Sequence, residues 1–300
     1  MVKRPLKRIT NFNNLLVAFS LPLNAIQASR DSLKVKSQNH IMVQLHFLQP
    51  KGCHPEKPLF VFLPGMDGTG ELFYVQIENL AKAFDIRCLK IPPNDFSDWN
   101  VLCEEVISLI MQEELSRQIR RSVYLCGESF GGCLAVKVAL ESPDSLVSHV
   151  ILVNPATCFQ KNPWLGLGIP ITAMMPEFIY QMSTLLLLPY LVMPGKVSQK
   201  ECRALLNAIK SVPTQNSSWR LSLMKRFQVE AHNLDNLTQK LLVIVAERDR
   251  LLPSKLEAQR LLTICPQAKS VVLPTSGHAC LLEQDVELYE IIKAENFLSD

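Results

Sequence analysis

Val123-Tyr124-Leu125-Cys126-Gly127-Glu128-Ser129-Phe130-Gly131-Gly132 opens as an apolar run, breaks at a glycine, holds a serine between two glycines and continues into a segment of helical spacing. This is a G-x-S-x-G pentapeptide in a strand–turn–helix setting, and the setting gives the pattern its meaning. A turn that sharp is strained. Glycines two before and two after the serine let strand and helix approach without Cβ clashes, and the turn holds Ser129 Oγ out at the carboxyl end of the strand.

Outward from this turn, short β-rich runs alternate with helical patterns, the signature of a parallel sheet flanked by helices. Strands are predicted at 41–48, 59–63, 86–91, 123–126, 150–153, 241–246 and 270–273, and helices at 71–84, 99–118, 132–141, 255–265 and 282–293. One gap breaks the rhythm. Between the strand ending near Asn154 and the one starting at Leu241, about eighty residues carry helical patterns and no strand. The predicted organisation is a leader at 1–40, a core at 41–157 and 238–300, and an inserted helical lid at 158–237. The first half of that insertion, Trp164 to Met193, has Glu177 as its only charge and is broken by Pro170, Pro176 and Pro189, which exclude a straight membrane helix. Three readings of it stand: a cover over a hydrophobic pocket, a surface that dips into lipid, or ordinary core packing.

An alcohol of ordinary pKa is a poor nucleophile, so Ser129 needs a base, and the base needs an orienting carboxylate. His278, in Ser276-Gly277-His278, follows the predicted strand 270–273. Asp249 follows the predicted strand 241–246, on a turn closed by Pro253. Glu247 is the local rival, read as a partner of Arg248 or Arg250, and Asp285 is read onto a solvated helix. Ser, Asp, His in that chain order is the order of the α/β-hydrolases. The oxyanion of a tetrahedral intermediate needs two N–H donors. One is expected from Phe130. The other is expected from the glycine-rich turn Pro64-Gly65-Met66-Asp67-Gly68-Thr69-Gly70, at Met66, with Asp67 as its neighbour if the turn is one residue longer. No Gly-Lys-Ser/Thr follows that turn, which excludes a phosphate loop.

Composition bounds the rest. With 48% hydrophobic and 20% charged residues and a mean hydropathy of +0.12, the chain can bury a sizeable core. Residues 1–30 hold five of the 31 basic residues and no acid, which leaves 26 basic against 28 acidic residues elsewhere. A near-neutral body excludes nucleic acid as an expected partner. The nine cysteines include no CxxC pair, so free thiols in a reducing compartment are expected, cytoplasmic or at a membrane periphery rather than exported, and no metal or cofactor is implied. The basic, acid-free N-terminus reads equally as a signal peptide, a transit peptide, a membrane-surface segment or a plain leader.

Leu63-Pro64-Gly65-Met66-Asp67-Gly68-Thr69-Gly70, Gly127-Glu128-Ser129-Phe130-Gly131-Gly132-Cys133-Leu134-Ala135 and Asn154-Pro155-Ala156-Thr157 resemble the hydrolase half of the plant phytyl ester synthases, and cyanobacterial members of that esterase/lipase group are similar. The likeness covers roughly residues 55–290. It implies acyl chemistry on lipophilic esters: fatty acyl glycerolipids, or acyl groups passed to phytol or other long-chain alcohols. The plant enzymes also carry an acyltransferase half, usually with an His-x4-Asp motif, and these 300 residues contain no such motif. The expected reaction is therefore hydrolysis through an acyl-Ser129 intermediate, with any acyl transfer running through the same serine. A lipophilic ester is the expected partner, with peripheral membrane contact through the lid or the N-terminus.

Overall fold

Runs of five or six apolar residues with no polar alternation are satisfied only as strands covered on both faces. That is where they lie. The computed structural model describes residues 44–299 apart from 116–120, 162, 229–233 and 235. The expected leader and positions 41–43 of the first expected strand fall outside the described residues.

Among the described residues seven strands form one sheet: β1 (His46–Leu48), β2 (Leu59–Leu63), β3 (Asp85–Lys90), β4 (Val123–Glu128), β5 (His149–Val153), β6 (Lys240–Ala246) and β7 (Lys269–Leu273), in the order β1-β3-β2-β4-β5-β6-β7. Only β1 runs antiparallel, at the edge against β3. The order reverses at β2, which pairs with β3 on one side and β4 on the other. Crevices open at such reversals, outside the carboxyl ends of the strands.

Side chains alternate across the strands and build two cores. Val61, Leu125, Leu152 and Val243 pack on one face against α2 (Trp99–Leu115), α3 (Phe130–Glu141) and α8 (Ser254–Ile264). Phe62, Tyr124, Ile151 and Ile244 pack on the other against α1 (Tyr74–Leu80) and α9 (Leu288–Ala294). Between β5 and β6 lie α4 (Pro163–Met174), α5 (Glu177–Leu191), α6 (Gln199–Lys210) and α7 (Thr214–Arg226), with no strand among the described residues.

Three expectations need correction. The predicted helix at 282–293 begins only at Leu288, because Cys280–Leu282 forms a short 3-10 turn and the Glu283 carboxylate then turns back to accept the Gly277 N–H at 2.7 Å. Asp285 accordingly precedes the helix, where its carboxylate accepts from Lys196 at 2.7 Å. Of the three prolines expected to break the apolar stretch, only Pro176 stands between helices. Pro170 and Pro189 are carried inside α4 and α5, since losing one N–H bond need not stop a helix held by its neighbours.

Candidate active site

Ser129 sits between β4 and α3 with φ 51 and ψ −110, outside the regions that residues with a Cβ readily adopt. The close packing around it explains the flanking glycines. A Cβ at Gly127 would collide with Gly131 O, and one at Gly131 would collide with Leu63 O and Pro64 O. The start of α3 therefore abuts the turn that follows β2. Ser129 N–H is held by Val153 O at 3.0 Å, and Ser129 O accepts from Gly132 and Ala156 N–H at 2.9 and 3.0 Å.

His278 Nε2 lies 3.0 Å from Ser129 Oγ, and His278 Nδ1 lies 2.8 Å from Asp249 Oδ2. An ionised carboxylate only accepts, so Nδ1 carries the proton toward Asp249 and leaves Nε2 free to accept from the serine. Asp249 is held in turn by Leu251 N–H at 2.8 Å, Leu252 N–H at 2.9 Å and Ser254 Oγ at 2.5 Å. Burial pushes its pKa up, but the facing imidazole and these donors outweigh burial and hold it below the usual carboxylate range. For His278 burial pushes the other way, and the Asp249 charge and hydrogen bond, with Glu128 behind them, lift the imidazole above its ordinary value. Glu247 is outside this arrangement. It is exposed and accepts from Lys255 at 2.6 Å, rather than from Arg248 or Arg250 as the sequence indicates.

The turn after β2 is closed by Gly68 N–H donating to Gly65 O at 3.0 Å. Gly65 O and Met66 N–H lie at opposite ends of one planar trans peptide, so closing the turn also fixes the direction of the Met66 N–H. Among the described residues neither Met66 N–H nor Phe130 N–H has an acceptor. Asp67, the alternative donor position, turns its carboxylate onto Thr69 N–H and Oγ, at 2.9 and 2.5 Å.

Several residues here were not singled out for a role from sequence. Asn154 is fully buried with φ 42. Its Nδ2 donates to His278 O at 2.7 Å and its Oδ1 accepts Ala246 N–H at 2.7 Å, so it fastens the histidine loop to the end of β6. Arg220 of α7 donates to Met66 O, Asp67 O and Pro92 O at 2.7, 3.0 and 2.8 Å. Glu128, beside the serine, borders the cavity. Burial raises its pKa to about 7, with Asp67 adding to the rise and His278 opposing it. Asp67 is raised too, by burial above all. Glu128 could be noticed from its place in the motif and Asn154 from the stretch Asn154-Pro155-Ala156-Thr157, in each case without a role; Arg220 leaves no local signal.

Ser129 and His278 open into a cavity of about 330 Å³. Its walls come from Phe73, Phe159 and Leu281 of the core and from Leu187, Leu191, Leu221 and Met224 of the helical segment. A second hollow of about 430 Å³, beside Phe47, Arg87 and Glu113, holds none of these groups. Among the described residues no cluster of His, Cys, Asp or Glu is arranged to hold a metal ion, and no helix is long and apolar enough to cross a membrane. The nine cysteines, all among the described residues, form no disulfide, and all but Cys53 and Cys202 are buried.

Comparison with known proteins places the fold and the family. Phytyl ester synthase 1, chloroplastic, of Arabidopsis thaliana is 33% identical over 261 residues, which cover 79% of this chain and 37% of the plant protein. Phytyl ester synthase 2, chloroplastic, of the same plant is 26% identical over 326 positions, covering 92% and 45%. The chain thus spans less than half the length of these relatives. An esterase from Exiguobacterium antarcticum superposes with a TM-score of 0.68 at 16% identity, covering 85% of this chain and 95% of its own. MGS-M2, an alpha/beta hydrolase from a Medee basin deep-sea metagenome library, does so at 0.67 and 18%, with the same coverage. Residues 93–285 match the family described as serine aminopeptidase, S33. The chain belongs to this family of α/β-hydrolases, enzymes of the hydrolase class.

Proposed function

We propose that the protein is a serine esterase for lipophilic carboxylic esters, with Ser129 as nucleophile, His278 as general base and Asp249 as the carboxylate that orients the imidazole. The observation that carries this reading is the unbroken chain from Asp249 Oδ2 through His278 to Ser129 Oγ, with links of 2.8 and 3.0 Å, opening into an apolar cavity. His278 Nε2 takes the serine proton as Oγ attacks the ester carbonyl, and the N–H groups of Phe130 and Met66 receive the oxyanion. The imidazolium returns its proton to the departing alcohol, leaving acyl-Ser129. Water, deprotonated by the same histidine, then releases the acid.

Acyl transfer is the second reading. An alcohol in place of that water yields a new ester, and two things favour a long-chain alcohol such as phytol: the apolar walls of the cavity and the names of the two plant relatives. The balance between water and alcohol rests on how far the helical segment, acting as a lid, keeps water out. Contact with a lipid surface belongs to the same proposal. Nine of the fifteen large hydrophobic side chains exposed among the described residues lie on α4 and α5, among them Met174, Phe178, Met182 and Leu186. Leu187 and Tyr190 both border the cavity and reach this exposed face, so a lipid layer there would lie against the cavity mouth.

The test is to incubate the purified protein with long-chain acyl esters, with and without phytol, and to resolve free acid from phytyl ester. A fluorophosphonate probe should label the wild type and not Ser129→Ala. Equal labelling of both, or turnover unaffected by the substitution, would overturn the reading.

A further inference from the structure

Arg220 is buried to 2% exposure, and among the described residues its guanidinium makes no ion pair with a carboxylate; the anions it senses there, Asp67 and Asp95, act on it through space. Instead it spends its donors on backbone. Nη1 reaches Met66 O and Asp67 O at 2.7 and 3.0 Å, and Nη2 reaches Pro92 O at 2.8 Å. A cation placed in the interior for packing alone would leave those carbonyls to other donors and carry a carboxylate beside it. Here the planar fork fits three carbonyls from two loops, a geometry that a lysine ammonium on its flexible stem does not reproduce.

The three acceptors have a shared purpose. Met66 O and Asp67 O belong to the two peptides that follow the Met66 N–H, and Gly68 N–H holds Gly65 O, at the far end of the peptide carrying that N–H. Pro92 lies at the start of the neighbouring loop, just after β3, where Ile91 N–H donates to Gly68 O at 2.8 Å. We infer that Arg220 is a positioning residue for the oxyanion turn: it sets the Met66 N–H from behind, without touching the substrate, and makes that setting depend on the seat of α7. The inference rests on the proposed acyl-serine mechanism.

The seat of α7 is itself tied to the cavity. Asn216 Nδ2 and Trp219 Nε1 donate to Asp95 O and Ser97 O, both at 3.0 Å, and Trp99 Nε1 donates to Leu223 O at 2.9 Å, which moors α7 to the loop after β3 and to α2. On its other side Tyr180 Oη of α5 donates to Ser217 Oγ at 2.7 Å, and Glu177 accepts Thr214 N–H at 3.0 Å. Ser217 and Met224, three residues before and four residues after Arg220 and so its neighbours on the helix surface, border the cavity together with Leu221. A chain lodged against α5 and α7 therefore bears on the helix that holds the turn.

The experiment compares wild type, Arg220→Lys and Arg220→Met on one soluble activated ester, with and without added guanidinium at millimolar concentration. A donor set loosely at the oxyanion costs rate rather than ground-state affinity. Expected are a fall in kcat of about tenfold to a hundredfold in Arg220→Met, KM within about threefold, a parallel fall in the rate of fluorophosphonate labelling, and partial recovery with guanidinium. Arg220→Lys, which keeps the charge and loses the fork, should fall between the two and decides the matter if the Met variant does not fold. Folded variants whose kcat and labelling rate equal the wild type, or whose loss lies wholly in KM, would overturn the inference. A wild type that neither turns over the ester nor takes the label would instead overturn the acyl-serine reading on which it rests.

Discussion

If the cavity takes an acyl chain, its walls set a measurable slope. Burying one methylene contributes up to about 0.8 kcal/mol, close to fourfold in kcat/KM. The cavity of about 330 Å³, at roughly 30 Å³ of liquid volume per water-sized group, accommodates on the order of ten such groups. For a series of 4-nitrophenyl esters kept below their aggregation limits, kcat/KM should climb from acetyl onward by up to about fourfold per carbon and level off near ten carbons. Two substitutions on α5 separate wall from surface. Leu187 borders the cavity, whereas Leu186 is 74% exposed and does not. Leu187→Asp puts a carboxylate along the chain's path and should flatten the slope while leaving the acetyl ester within about threefold of wild type; Leu186→Asp should leave the slope intact for dissolved esters. A profile that peaks at acetyl or butyryl, or a Leu187→Asp variant that loses the same factor at every length, would refute the argument that the helical segment forms the wall of an acyl site.

Three further outcomes follow from the site. Asp249→Asn should cost on the order of 10³- to 10⁴-fold in kcat by stabilising the wrong imidazole tautomer, while Glu247→Gln, removing an exposed carboxylate paired with Lys255, should stay within about twofold; comparable losses in steady-state assays would move the acid elsewhere. The base must be neutral to act, and because Asp249 and Glu128 hold His278 above its ordinary pKa, activity should fall on acidification with an inflection above about 6.5. Removing a charge that favours the imidazolium lowers that pKa, so Glu128→Gln should move the acid limb of the pH–rate profile to lower pH, and an unmoved or raised limb would count against the coupling. Leu186→Asp should reduce binding to phospholipid vesicles in a flotation assay, and unchanged flotation would remove α5 from the proposed lipid contact.

The parts of the fold and site that could be read from sequence are those whose causes are local. The turn around Ser129 announces itself because Gly127 and Gly131 are needed where backbones meet, and β2, β5 and β6 announce themselves because strands covered on both faces read as near-continuous apolar runs. Asp249 and His278 each follow a recognisable strand. What was hidden is long-range. Asn154 fastens a loop 124 residues downstream, and Arg220 grips a turn 154 residues upstream; neither residue type nor spacing betrays such contacts. The helix expected at 282–293 shows the same limit from the other side. Its apolar spacing is real, but long-range bonds to the same stretch, from Gln284 N–H to Lys196 O at 2.9 Å and from Gln76 Nε2 to Leu281 O and Val286 O at 2.7 and 2.8 Å, override it, and the helix starts six residues late.

The division of labour within the chain has a consequence for how its specificity can change. Ser129, Asp249 and His278, with the turn at Met66, all stand at the carboxyl ends of strands in the sheet, whereas much of the cavity wall comes from α4, α5, α6 and α7. Substitutions at wall positions such as Leu187 or Leu221 should therefore alter which acyl chain is favoured while the chemical step persists. Arg220 crosses that boundary, because it sits on a wall helix and holds a turn of the core. A change in substrate that shifts α7 is thus transmitted to the proposed oxyanion donor, and one that displaces Tyr180 or Glu177 of α5 reaches it through Ser217 and Thr214. On this reasoning the wall positions of α5 away from Tyr180 and Glu177 are the ones free to vary with the substrate, and α7 is the element constrained by the reaction.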